Sequence, residues 1–167
     1  MDLGLLLLRA ALGVLIAAHG AQKLFGWFGG FGIEGTGGWL ESMGFKPAKL
    51  QAAVVGLSEF GGGLLIGAGL LTPLGALAVA GVMFVATISV HWTKGFFNGT
   101  GGFEFNFLIY FAAVALAFIG PGRYSLDHAF GWHLAGTEWG LVALLGSVAA
   151  GTLVLAMRKP APQAKAA

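Results

Sequence analysis

Five runs of apolar residues, at 3–24, 52–71, 74–90, 105–119 and 139–157, dominate the chain, with glycine-, proline- and aromatic-rich stretches between them. A helix rises about 1.5 Å per residue, so about twenty apolar residues cross a hydrocarbon core about 30 Å thick. The pattern therefore predicts an all-α, polytopic membrane protein folded as one helical domain over residues 1–157. The Pro/Ala/Lys tail at 158–167 has no means of burying a core and is expected to be disordered.

The first run is unusual in carrying Arg9, His19, Gln22 and Lys23. Its length and its lack of a small-residue cleavage site read as a retained helix and not a removable leader. Thr72-Pro73 makes a minimal connection between the second and third runs, because proline suits a first helical turn but not the interior of a continuing helix. These two runs should form a tight antiparallel hairpin. The third run is uncharged and ends at His91-Trp92, a place for a polar-tipped aromatic at the lipid–water boundary. Gly95 to Gly102 breaks the pattern, Glu104 and Asn106 stand at the entrance of the short fourth run, and Gly120-Pro121-Gly122 stops it. The segment from Phe25 to Gly30, and one or two amphipathic turns at 39–43, should lie in the interface.

Within the second run Glu59 has a single polar companion, Ser58. A carboxylate in hydrocarbon costs roughly 3 kcal/mol on insertion scales, so it must face a protein interior, a partner charge or water. At about 100° per residue, Arg9, Gly13, Gly20 and Lys23 form one stripe on the first helix, with His19 at its edge. Gly56, Glu59, Gly63 and Gly67 form a small-residue stripe on the second, suited to close helix approach. The two stripes should pack together. Counting depth from the end of the first run places Glu59 between His19 and Arg9, about 6 Å from one and about 9 Å from the other, so an Arg9–Glu59 or His19–Glu59 pair is expected. His19, Lys23, His91, Lys94, Glu104 and Asn106 converge on one mouth above it. Such a cluster can bind a polar head group, relay a proton or hold helices in register, since a buried ion pair also persists as a packing device.

Composition supports the membrane assignment: 57% of residues are hydrophobic, 10% are charged and the mean hydropathy is +0.84. There is no cysteine, which excludes a disulfide framework, a thiol relay and Cys-ligated metal. The net charge of +2 comes from few groups and forms no basic patch interleaved with aromatics, so nucleic acid is not an expected partner. His128 and His133 are five residues apart, on different faces of any helix, and His91 with Glu104 lacks an obvious third ligand; no metal site is expected. With five spans, Lys23, Lys46, Lys49, Lys94, Arg158, Lys159 and Lys165 fall on one side and Arg123 alone on the other. That places the N-terminus outside and the C-terminus in the cytoplasm.

The first span with Arg9, the run from His19 through Gly20-Ala21-Gln22-Lys23-Leu24-Phe25 to Gly26, the stretch from Glu59 to Pro73, and Gly120-Pro121-Gly122-Arg123-Tyr124-Ser125-Leu126-Asp127 together resemble the DoxX family. The resemblance implies a membrane four-helix bundle over residues 3–119, with the segment at 139–157 as an additional C-terminal hydrophobic helix that departs from the family pattern. It implies interior polar positions at Arg9, His19, Lys23, Glu59 and Glu104, and a motif at Gly120, Pro121, Gly122, Arg123 and Asp127. Family members resemble the small membrane subunit of a thiosulfate:quinone oxidoreductase or are linked to membrane assemblies that handle thiols and oxidative stress. The function so implied is a subunit of a quinone-linked oxidoreductase assembly in the cell inner membrane, an accessory more than a stand-alone enzyme. Its expected partners are the lipid bilayer, a redox subunit or a second copy, with quinone as ligand and no covalently bound cofactor. On that reading His19 and Glu59 bond a quinone carbonyl while Arg9 tunes Glu59. Proton-coupled transport of a small solute and a purely structural scaffold stand as the alternatives.

Overall fold

The computed structural model describes residues 1–159, and within them every regular element is helical. Helix α1 spans Asp2–Phe25, α2 Gly32–Ser42, α3 Ala48–Ala68, α4 Thr72–Ala86, α5 Glu104–Ile119, α6 Leu126–Ala129 and α7 Thr137–Ala156. Four apolar helical segments are long enough to cross a membrane, namely Asp2–Phe25, Ala48–Ala68, Thr72–Lys94 and Thr137–Ala156. The sixteen-residue α5 is the shorter fifth. Leu7, Val14, Leu57, Leu64, Leu108, Leu145 and Leu153 lie exposed on the outer faces, as in a bundle whose surroundings are lipid.

Helix ends follow local chemistry. α3 stops at Ala68 because Gly69 takes a left-handed conformation at φ 63°, and its N–H returns to the Ile66 carbonyl. The connection is thus 69–71, three residues before the expected one, while Thr72-Pro73 opens α4. α3 also begins at Ala48, four residues before its apolar run, because polar Lys49 and Gln51 extend the helix into the interface. α4 continues past Ala86 through a π-helical turn, Thr87–His91, and a 3-10 turn, Trp92–Lys94. The glycines of α2 disfavour a helix by about 1 kcal/mol each. Tertiary burial of Thr36, Gly37 and Leu40 overrides that and gives three turns where one or two were expected.

Because lipid is as apolar as leucine, close packing and hydrogen bonds must hold the helices together. α1 and α3 meet along the predicted stripes. A Cβ at Gly20 would stand 2.2 Å from the Phe60 nitrogen, and one at Gly63 would stand 2.5 Å from the Ala17 nitrogen, so the two backbones touch. α4 lies at the centre against α3, α5 and α7, with Ile16, Ile66, Val79, Ala113 and Leu116 buried in the shared core. α7 runs from one end of the bundle to the other. It starts beside α5, where the Gly136 N–H donates to the Phe118 carbonyl, and ends beside α2, where Lys159 N–H donates to Gly44 O at 2.9 Å and Arg158 Nε donates to Met43 O. Midway, Tyr110 Oη and Ser147 Oγ lie 3.0 Å apart. The first two residues of the predicted disordered tail are therefore tied down, and 160–167 lie outside the described residues.

Candidate functional site

Glu59 is 3% exposed, and its Oε2 accepts a hydrogen bond from Lys23 Nζ at 2.5 Å. The expected pairing of Glu59 with Arg9 or His19 is not made. Side chains on a helix lean toward its N-terminus. Lys23, near the C-terminal end of α1, therefore leans into the bundle toward Glu59, whereas Arg9 leans out of reach toward the other end. His19 is half-buried and packs edge-on against Phe105, ring centroids 6.3 Å apart. No second hydrogen bond to the Glu59 carboxylate is present among the described residues.

Beside this pair opens a cavity of about 470 Å³, within the range of small-molecule sites. His19, Lys23, Glu59, His91 and Asn106 line it, and apolar side chains of α3, α4, α5 and α7 supply most of its wall. Trp39 and Met43 at the end of α2 border it on the interfacial side, and Trp39 and Lys23 also border a second cavity of about 460 Å³ under α2. His91 reaches the wall through the π-helical turn, a deviation that re-aims the residues after it and recurs at functional sites. Its Nδ1 is 2.7 Å from the Gly101 carbonyl, which can only accept, so Nδ1 carries the hydrogen and Nε2 is left for other partners.

Two members of the predicted mouth stand apart from this cavity. Glu104 accepts from the Asn98 N–H at 2.7 Å and clamps the loop before α5, while the Lys94 carbonyl accepts from Thr100 Oγ1 at 2.9 Å in the same loop. Asn106 is the residue the sequence undervalues. It is 8% exposed, and its Nδ2 is buried with no hydrogen-bond partner. Its place two residues into an apolar helix gives a sequence signal, but only the packing shows that nothing answers it.

At the opposite end, Arg9 and Asp127 are both fully buried. Arg9 Nη1 donates to the carbonyls of Gly67 at 3.1 Å and Ile66 at 3.4 Å, and its Nη2 donates to the Tyr124 carbonyl at 2.5 Å. Asp127 accepts from the N–H of Leu71 at 2.7 Å, the N–H of Thr72 at 3.0 Å and the Thr72 hydroxyl at 2.8 Å. A cation thus caps the C-terminus of α3 and an anion caps the N-terminus of α4, each complementing the helix dipole it faces. The Gly120–Asp127 segment wraps this turn. Gly120 and Gly122 take positive φ, Pro121 is buried, and the exposed Arg123 donates its backbone N–H to Asp2 Oδ1 at 2.9 Å. Among the described residues, no three His, Asp or Glu side chains come together as metal ligands.

No curated protein and no solved structure matches this chain. The family model described as DoxX matches residues 4–92, which takes in α1 to α4 with Arg9, His19, Lys23, Glu59 and His91. Glu104, the Gly120–Asp127 segment and α7 lie beyond the matched region. With more than half of its length matched, and with the resembling motifs of α1 and α3 packed on each other around Glu59, this membrane protein belongs to the DoxX family.

Proposed function

We propose that the protein is the quinone-binding membrane subunit of an oxidoreductase assembly, with the head group held in the cavity beside Glu59. One observation carries this: a buried carboxylate paired with an ammonium on the wall of a largely apolar cavity. The Lys23 ammonium has three hydrogens and uses one on Glu59 and one on the His19 carbonyl, so the third can go to a carbonyl oxygen of the ligand. Glu59 and the open Nε2 of His91 are suited to hold and pass protons as the head is reduced. The quinone supplies the two-electron, two-proton chemistry. Electrons come from a partner subunit, since the chain has no cysteine for a thiol relay. Lys23, Lys46, Lys49, Lys94, Arg158 and Lys159 belong to the end where the cavity lies, which supports a cytoplasmic mouth in the inner membrane.

Titration of decylbenzoquinone into the protein in nanodiscs tests the reading. Saturable binding is expected, weakened at least tenfold in Glu59→Gln. Non-saturable partitioning in wild type and variant alike would sink it.

A further inference from the structure

The cavity beside Glu59 reaches beyond the interior of the bundle. α3 and α4 touch next to their turn, where a Cβ at Gly62 would stand 2.9 Å from Val79 Cγ2 and 3.2 Å from the Gly75 carbonyl. Farther from the turn they part, and Val55 and Ser58 of α3 face the cavity together with Val82 and Ala86 of α4. Through this gap the cavity runs on to the outer side of α4, where α3 and α7 both pack on α4 and leave a groove between them. Ala78 and Gly81 form its floor, Val54 one wall, and Ala150 and Val154 the other. Val54 is 47% exposed, so the groove faces lipid, and a Cβ at Gly81 would meet no atom within 4 Å. On the interfacial side, by contrast, Trp39 and Met43 border the cavity, and the end of α2 is tied to the end of α7 through the Met43 and Gly44 carbonyls.

We propose that the ligand enters from the bilayer between α3 and α4 and leaves its hydrocarbon chain in the groove between α3 and α7. The assignment rests on the quinone reading above and narrows it to a membrane-dissolved quinone with a long chain. One cavity joins two environments: Lys23, Glu59 and His91 at its inner end suit a polar head, and the apolar side chains at its outer end suit hydrocarbon. Lipid is as apolar as leucine, so a chain gains little by exchanging one for the other. The groove supplies room, and a ligand whose chain finds none cannot seat its head. The outer wall comes from α7, beyond the region matched by the family model.

The test titrates decylbenzoquinone and duroquinone, which has four methyl groups and no chain, into nanodiscs, with affinities referred to the concentration dissolved in the lipid. Gly81→Phe fills the groove from its floor and Ala150→Phe from the α7 wall, while Gly61→Phe alters an equally open glycine outside the cavity. Both groove variants should bind decylbenzoquinone about tenfold more weakly than wild type, because the inserted ring occupies the path of the chain. Both should bind duroquinone as wild type does, and Gly61→Phe should leave both ligands unchanged. Decylbenzoquinone affinity equal to wild type in both groove variants overturns the assignment and leaves the quinone reading standing. Equal weakening of the two ligands puts the damage at the head and also overturns it, as does equal weakening of decylbenzoquinone by Gly61→Phe. Absence of saturable binding of both quinones by wild type overturns the reading and the assignment together.

Discussion

The bundle buries ionic groups at two levels, and they are treated in opposite ways. At the α3–α4 turn, Arg9 spreads three hydrogen bonds over three carbonyls, with only its Nε left without a partner among the described residues, and Asp127 collects three donors; Gly69 gives the guanidinium its room, since a Cβ there would stand 2.2 Å from Arg9 Nη1. Beside α2, Glu59 has one strong partner, Asn106 has none for its amide nitrogen, and a cavity opens against both. A buried charge that answers helix ends stabilises a turn. Glu59 keeps unused hydrogen-bonding capacity beside open space, as the proposed ligand site requires.

Four substitutions would break or sharpen this contrast. The largest effect is expected for Asp127→Ala, which strands two backbone N–H groups and a hydroxyl in the interior and should cost about 3 kcal/mol in chemical unfolding from micelles. Quinone affinity of the folded fraction should not change; if it did, the two levels would not be independent. Gly63→Ala forces a methyl group against Ala17 and the Gly13 carbonyl, midway between the levels. We expect a loss of about 2 kcal/mol, together with weaker binding, because α1 carries Lys23 away from Glu59. Glu59→Gln should cost only about 1 kcal/mol, since Lys23 is partly exposed and can turn to water, while abolishing most quinone affinity. A stability loss as large as that of Asp127→Ala would show that Glu59 is a lock as well. Smallest is Ser147→Ala, which removes a contact of α7 with Tyr110 and should cost about 0.6 kcal/mol with no change in ligand titration.

Much of the helix arrangement is legible in the sequence. The apolar runs located α1, α3, α4, α5 and α7 to within a few residues, because helix length and lipid thickness constrain each other. The glycine periodicity identified which faces of α1 and α3 meet, since only a glycine stripe admits contact that close. Depth along antiparallel spans gathered His19, Lys23, His91, Lys94, Glu104 and Asn106 at one mouth above Glu59; of these, Lys94 and Glu104 stand apart from the cavity, in the loop before α5. α2 was less legible, since its glycines argue against the helix that burial of Leu40 imposes.

By itself the sequence determined that this is a membrane bundle with a costly acid in its interior, because hydropathy and period are properties of each segment alone. Tertiary structure decided which cation answers that acid. Arg9 and Lys23 share a face of α1, and a depth count favours the arginine; direction along the helix and the carbonyls freed at Gly69 send Arg9 to one end and Lys23 to the other. It decided equally that Asp127, fifty-five residues from Thr72, caps α4 and that Asn106 finds no partner. Hydrogen bonds between distant segments depend on side-chain direction and on which backbone groups other elements leave free. No single segment carries that information.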